Sequence, residues 1–131
     1  MIMHPAYLET QFICDGGDPD WPPVFAIITA YATTGETWAE EQNEAADQAL
    51  KVELGSTGRW LWRVTGYTPT TTHREPGWAV AMDRDEACDV GARFLQDAIY
   101  VINRNALAVT YCVERRGLVH VGSFQERVTQ S

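Results

Sequence analysis

The stretch Val24 to Tyr31 reads VFAIITAY, a charge-free run of residues that favour extended backbone. A strand apolar at successive positions has no face to give to water, so it belongs in the middle of a sheet with helices over at least one side. The neighbouring segments must supply that cover. After a turn at 32–36, Thr37 and Glu40 have the spacing of a capping box that opens a helix. Ala39, Gln42, Ala46, Ala49, Leu50 and Leu54 recur at helical spacing as its inner stripe. Glu40, Glu41, Glu44, Asp47 and Lys51 take the other faces, and Gly55 ends the helix.

Arg59 to Tyr67 (RWLWRVTGY) follows as a strand with Trp60, Trp62 and Val64 on one side, and a polar loop, Thr68 to Pro76, leads into Gly77 to Met82 (GWAVAM). These two strands are expected to pair as a hairpin. Asp83 opens a second helix with Glu86 at its third position. Ala87, Val90, Gly91, Phe94, Leu95 and Ala98 form its buried stripe, Gly91 allowing close approach to the sheet. Ala98 to Ile102 fits a strand and a last helical turn equally well. Asn103 to Asn105 is a turn, Leu107–Glu114 and Leu118–Phe124 are strands joined across Arg115, Arg116 and Gly117, and 125–131 is a tail expected to fray. At the other end, 6–14 reads as a short edge strand and 15–23 as a loop. The loop's Asp15, Asp18 and Asp20 do not match the register of a calcium-binding loop.

The order strand, helix, strand, strand, helix, strand predicts an α+β fold: a ferredoxin-like βαββαβ sandwich, its antiparallel sheet covered by two helices, with an added C-terminal β-hairpin. The whole of 1–131 is read as one domain, 1–22 being an N-terminal extension.

Composition narrows the function classes. With 131 residues, 45% hydrophobic and 21% charged, the chain can bury a core without disulfides or a structural metal, and a cytoplasmic protein is expected, there being no apolar run of bilayer length and no basic leader. Cys14, Cys88 and Cys112 are far apart and form no CxxC pair, which reads as small buried apolar residues rather than redox groups. Charge is unevenly placed. Residues 1–50 hold nine acids and neither Lys nor Arg, for a balance of −9, whereas 51–131 balance at +1. A deficit of bases argues against direct nucleic-acid binding and is compatible with a partner that is itself basic. Glu40, Glu41, Glu44 and Asp47 are the candidate recognition face, beside the commoner role of an acidic face in solubility. No catalytic triad, metal-ligand spacing or phosphate loop is present, and nothing calls for a cofactor or a metal.

AIITAY, then Asn43 and Leu50, then Arg74-Glu75-Pro76, then Ala87, Gly91 and the run Phe94-Leu95-Gln96-Asp97-Ala98-Ile99-Tyr100 together form a spaced pattern. Over about Phe25 to Cys112 this resembles a family of short bacterial and phage proteins known only as a domain of unknown function. That family continues its ITA with an aromatic and Asn-Pro, where this chain has Tyr31, Ala32 and Thr33. The resemblance implies positions and no activity.

Among those positions, Glu75 stands where a loop enters a central strand, with His73 and Arg74 beside it. Asn43 and Gln96 are amides on helix faces that turn inward and so need partners, and Tyr100 offers a ring and a hydroxyl. These six residues are the candidate binding site. The expected function is a non-enzymatic binding module that occupies a basic protein surface or a small ligand. The alternative is a small hydrolase or transferase using Glu75 and His73 as acid and base, for which Thr70, Thr71 and Thr72 are the nearest nucleophiles.

Overall fold

The computed structural model describes residues 5–14, 16–32, 37–70, 73–113 and 117–130. In chain order it contains α1 (Pro5–Glu9), β1 (Gln11–Cys14), β2 (Val24–Thr29), α2 (Glu40–Gly55), β3 (Leu61–Tyr67), β4 (Arg74–Val80), α3 (Arg84–Arg93), β5 (Ala98–Asn103), β6 (Ala106–Tyr111), β7 (Leu118–Ser123), α4 (Phe124–Arg127) and β8 (Val128–Gln130). The strands form a single eight-stranded sheet in the order β7-β6-β5-β2-β4-β3-β1-β8. All neighbours are antiparallel except β1 and β8, which run parallel with Phe12 opposite Val128.

This corrects the expected two-helix ferredoxin-like sandwich with a small hairpin: the fold is a mixed eight-stranded sheet curled into a half-barrel, with four helices. The physical reason lies in the two faces of β2. Ala26, Ile28 and Ala30 point to one side and pack with Leu50 and Leu54 of α2 and with Ala87, Cys88 and Val90 of α3. Phe25 and Ile27 point to the other side, where Phe12, Val64, Ala79, Ile102, Leu107 and Phe124 bury them. That second face carries neither α2 nor α3, so the sheet must curl to shield its own apolar residues. Trp21 plugs the concavity, stacked on Phe25 at 5.1 Å and edge-on to Phe124 at 4.9 Å.

Both chain ends take part in that closure. The segment 6–14 is not an edge strand: it holds a short helix and then β1, which lies between β3 and β8. The segment 125–131 does not fray over its described residues, because Ser123 caps α4 by accepting from the Glu126 N–H and β8 pairs with β1. Asn105 secures the same corner, its side chain accepting from the Gln125 N–H at 2.8 Å and donating to Ser123 Oγ at 2.9 Å. Ala98–Asn103 is a strand, since the helix before it has already ended at Arg93.

Helix α2 begins later than its capping box implied. Its N-cap is Ala39, which makes no side-chain cap, and Glu40 and Glu41 occupy the first turn, where carboxylates interact favourably with the exposed amide dipoles. Ala39, Gln42 and Ala49 are exposed, and the inner stripe is Ala46, Asp47, Leu50 and Leu54. Helix α3 begins as expected, Asp83 accepting from the Glu86 N–H at 2.9 Å. The turns read at 32–36 and at Arg115–Gly117 fall largely outside the described residues. No helix among those described is long and apolar enough to cross a membrane.

Gly91 decides how closely α3 approaches the sheet. A Cβ there would lie 2.7 Å from Cys112 Sγ and 2.9 Å from Ile99 Cγ2. Overpacking of this kind costs about 1–3 kcal/mol, more than the helix propensity of about 1 kcal/mol that alanine regains over glycine. Gly91→Ala should therefore lower the melting temperature although alanine is the better helix former. Ala87→Asp, which places a carboxylate in the fully buried helix–sheet interface, should abolish folding, its cost being comparable to a total stability of about 5–15 kcal/mol. Circular dichroism melts of both variants check this, and a parent-like melt of either would refute the packing described.

Candidate functional site

The polar residues of interest gather at one end of the concave face. Along β2 the inward side chains run Phe25, Ile27, Thr29, from the aromatic plug to the mouth of a cleft. Thr29 lies opposite Gly77 of β4. A Cβ on Gly77 would come within 2.6 Å of Thr29 Cγ2 and 2.7 Å of the Ile28 carbonyl. Only glycine lets the two central strands meet there without displacing Thr29. Two residues earlier on the same side of β4 stands Glu75, and its cross-strand partner on β3 is Gly66, which adds no side chain over it. The cleft, about 80 Å3 in volume, is lined by Thr29, Gly66 and Glu75 with Tyr7, Thr10, Phe12, His73 and Tyr100 among others.

A chain of hydrogen bonds forms the floor. Thr29 Oγ1 lies 2.6 Å from Glu75 Oε1 and 3.1 Å from Gln96 Oε1. The Gln96 amide is oriented unambiguously, because its Nε2 donates to the backbone carbonyls of Tyr31 at 2.8 Å and Phe94 at 3.2 Å. With 6% of its surface exposed, Gln96 is among the few buried polar residues of the described chain. On the rim, His73 Nε2 is 3.2 Å from Glu75 Oε2, so the ring N–H donates to the carboxylate. On the wall, Tyr100 donates its hydroxyl hydrogen to the Tyr7 carbonyl at 3.0 Å and meets Phe12 edge-on at 5.1 Å. Burial pushes the Tyr100 phenol well above its usual range, an effect that a hydrogen bond with Thr10 only partly opposes, so this group remains a neutral donor.

Gln96 reaches the cleft through a strained turn. Helix α3 ends with the Gln96 N–H bonded to the Gly91 carbonyl at 2.9 Å and the Leu95 N–H bonded to the Ala92 carbonyl at 3.1 Å. This is the Schellman arrangement, whose left-handed residue is ordinarily glycine. Here it is Leu95, with φ of 62°.

Glu75, His73, Gln96 and Tyr100 are thus brought together, and two other candidates are not. Asn43 caps the end of the β2 segment instead, its Oδ1 accepting from the Ala32 N–H at 2.8 Å. Arg74 points to the opposite side of β4 from Glu75 and lies 5.7 Å from the Tyr67 ring centroid. The hydrogen-bonding role of Thr29 is not legible in the sequence, where it offers only surface for stacking as one more β-branched residue of an apolar run. Its signal was being the sole hydroxyl in VFAIITAY besides the terminal tyrosine. Of the threonines weighed as nucleophiles, Thr70 is exposed and does not line the cleft, and Thr71 and Thr72 lie outside the described residues.

The acidic recognition face also divides. Glu40, Glu41 and Glu44 are exposed. Asp47 is not part of that surface: it is 3% exposed and holds Arg63 in a two-pronged pair, Nη1 to Oδ1 at 2.8 Å and Nη2 to Oδ2 at 2.7 Å. Trp78 Nε1 donates to the same carboxylate at 3.2 Å, and the Arg63 guanidinium stacks 4.3 Å from the Trp78 ring centroid. An exposed position cannot satisfy Arg63, which lies on the helix-covered side of β3, so the helix turns this one acid inward.

Two substitutions test these assignments by urea titration. Leu95→Gly should leave stability unchanged or raise it by up to about 1 kcal/mol, because relief of the left-handed strain exceeds glycine's entropic cost and an exposed side chain loses no burial. Asp47→Ala should cost about 2–3 kcal/mol, the partial exposure of Arg63 moderating the loss of its partner.

No curated protein and no solved structure shows significant similarity to the chain. Residues 28–99 match the family described as "Protein of unknown function (DUF3293)". That span begins at Ile28, beside Thr29, includes Glu75 and Gln96, and ends at Ile99, one residue before Tyr100. With more than half of its length matched, the chain belongs to the DUF3293 family of proteins of unknown function.

Proposed function

We propose that the protein is a non-enzymatic binding module of the cytoplasm that seats a small polar ligand in the cleft on the concave face. The observation that carries this reading is the convergence of Thr29 from β2, Glu75 from β4 and Gln96 from the α3–β5 connection on one point. Two local costs accompany that convergence: a leucine held at positive φ and a largely buried amide beside a carboxylate. Strain and buried polarity concentrated in a cleft favour a ligand site over a structural clasp. Exposed Glu40 and Glu41 support a basic partner less well, since an uncapped helix start already accounts for acids in its first turn.

The contact between His73 and Glu75 favours a second reading, a hydrolase or transferase in which these two act as base and acid. It is the weaker of the two, because His73 is largely exposed, at 64% of its side chain, and the Thr29 hydroxyl is held between two acceptors rather than presented to a substrate.

Glu75→Gln separates these readings from a structural clasp. The amide keeps the shape and an acceptor for Thr29 while removing the charge. For a ligand site the melting temperature should stay level or rise while ligand-induced stabilisation disappears. A clasp would instead lose about 1–3 kcal/mol. The measurement is a thermal-shift screen of small polar metabolites against the parent chain and the variant. A lower melting temperature with the same ligand responses in both proteins would refute the proposal, and turnover of any stabilising compound would replace it with the catalytic reading.

A further inference from the structure

We infer that the cleft takes a cation bearing N–H donors, a protonated primary amine or a guanidinium, an inference that rests on the cleft being a ligand site as proposed above. Its first support is a count of hydrogens on the cleft floor. Both N–H hydrogens of Gln96 are committed to the Tyr31 and Phe94 carbonyls. Thr29 has one hydroxyl hydrogen and two acceptors, Glu75 Oε1 at 2.6 Å and Gln96 Oε1 at 3.1 Å. The hydrogen belongs to the carboxylate, which is both nearer and charged. Gln96 Oε1 is then a buried acceptor with an oxygen beside it and no hydrogen between them. A ligand that donates there supplies what the floor lacks, since buried acceptors left without a donor are costly.

Charge gives the second support. Glu75 is the only acidic side chain lining the cleft among the described residues, and neither Lys nor Arg lines it. Thr29 gives the carboxylate one hydrogen and His73 a second from the rim, which leaves one lone pair on each oxygen available. An anionic ligand would face this carboxylate with no cation inside the cleft to offset it. An ammonium or guanidinium would pair with Glu75 and donate to Gln96 Oε1.

Size gives the third. At about 80 Å3 the cleft holds several waters, each needing about 10–15 Å3 of such space, and is far below the volume of about 300–1,000 Å3 that encloses a whole drug-sized ligand. It suits a single head group whose remainder stays outside.

The test is a titration of the 15N-labelled full chain, followed by amide resonances, with butylammonium, butylguanidinium, tetramethylammonium, butan-1-ol and butyrate. Butylammonium or butylguanidinium should shift the Gln96 side-chain and Thr29 backbone signals. Tetramethylammonium, which has the charge without N–H donors, should bind about tenfold or more weakly, and butanol and butyrate should leave these signals unmoved. Glu75→Gln should weaken butylammonium binding about 10- to 100-fold. The probe series on the parent chain decides the question even if that variant fails to fold. Equal binding of tetramethylammonium removes the donor requirement, and equal binding of butanol or butyrate, or an unchanged Glu75→Gln, removes the cation. Each of these overturns the inference while leaving a ligand site in place. If no probe moves these signals the inference falls, and the thermal-shift screen decides the ligand-site reading separately. A free amine and the end of a lysine side chain share this chemistry, and a blocked lysine tripeptide titrated beside butylammonium assigns the source by whichever binds more tightly.

Discussion

Strand β2 has no wet face over most of its length, and the remainder of the structure follows from that constraint. Ala26 and Ile28 need cover on one side, and Phe25 and Ile27 need it on the other. The chain meets the first need with α2 and α3. It meets the second by curving the sheet, filling the concavity with Trp21 and Phe124, and drawing both ends of the chain together at the β1–β8 pair. The cleft is where this concave core stops. Thr29 is the first polar side chain along the inner face of β2, and the curl brings the N-terminal Tyr7 to Phe12 segment over it.

One polar contact between the helix layer and the sheet is internal. Asp47, Arg63 and Trp78 tie α2 to β3 and β4 through a carboxylate that accepts from both partners. Removing such a carboxylate strands a guanidinium against an indole, whereas the exposed pairs Arg59–Glu86 and Arg93–Glu53 have water as a substitute. An acidic segment therefore contains two physically different kinds of acid: one that holds the helix down, and several that water already satisfies.

Glycine and strain set the geometry of the cleft floor. Gly77 allows β2 and β4 to approach until Thr29 and Glu75 are in hydrogen-bond contact, and Gly66 lets Thr10 pack close, since a Cβ there would lie 3.3 Å from Thr10 Cγ2. At the end of α3, Leu95 occupies a conformation that glycine would adopt without strain, and the next residue is Gln96 with its amide locked by two carbonyls. Three separate segments thus deliver one oxygen each to a shared point, and rigid delivery of this kind is what a binding site needs to avoid ordering costs on association.

Local pattern by itself determined the central strand, the two long helices with the cap at Asp83, and the close approach at Gly91; Glu75, Gln96 and Tyr100 were marked only as positions, by the family resemblance and with no role attached. Each of the former is encoded within about ten residues, through hydrophobic period, capping chemistry or turn preference. Tertiary structure alone decided the rest. The tail at 125–131 carries no strong strand signal, and Val128–Gln130 becomes β8 only because β1 offers an edge. Asp47 looks like any helix carboxylate until Arg63 lies beneath it. Arg74 sits next to His73 and Glu75 in sequence and Asn43 on a helix face expected to turn inward, and both leave the cleft because strand alternation and helix rotation turn them elsewhere. The curl of the sheet has the same origin: it answers to the apolar area left uncovered by both helices, a quantity that belongs to the assembled sheet and to no single segment.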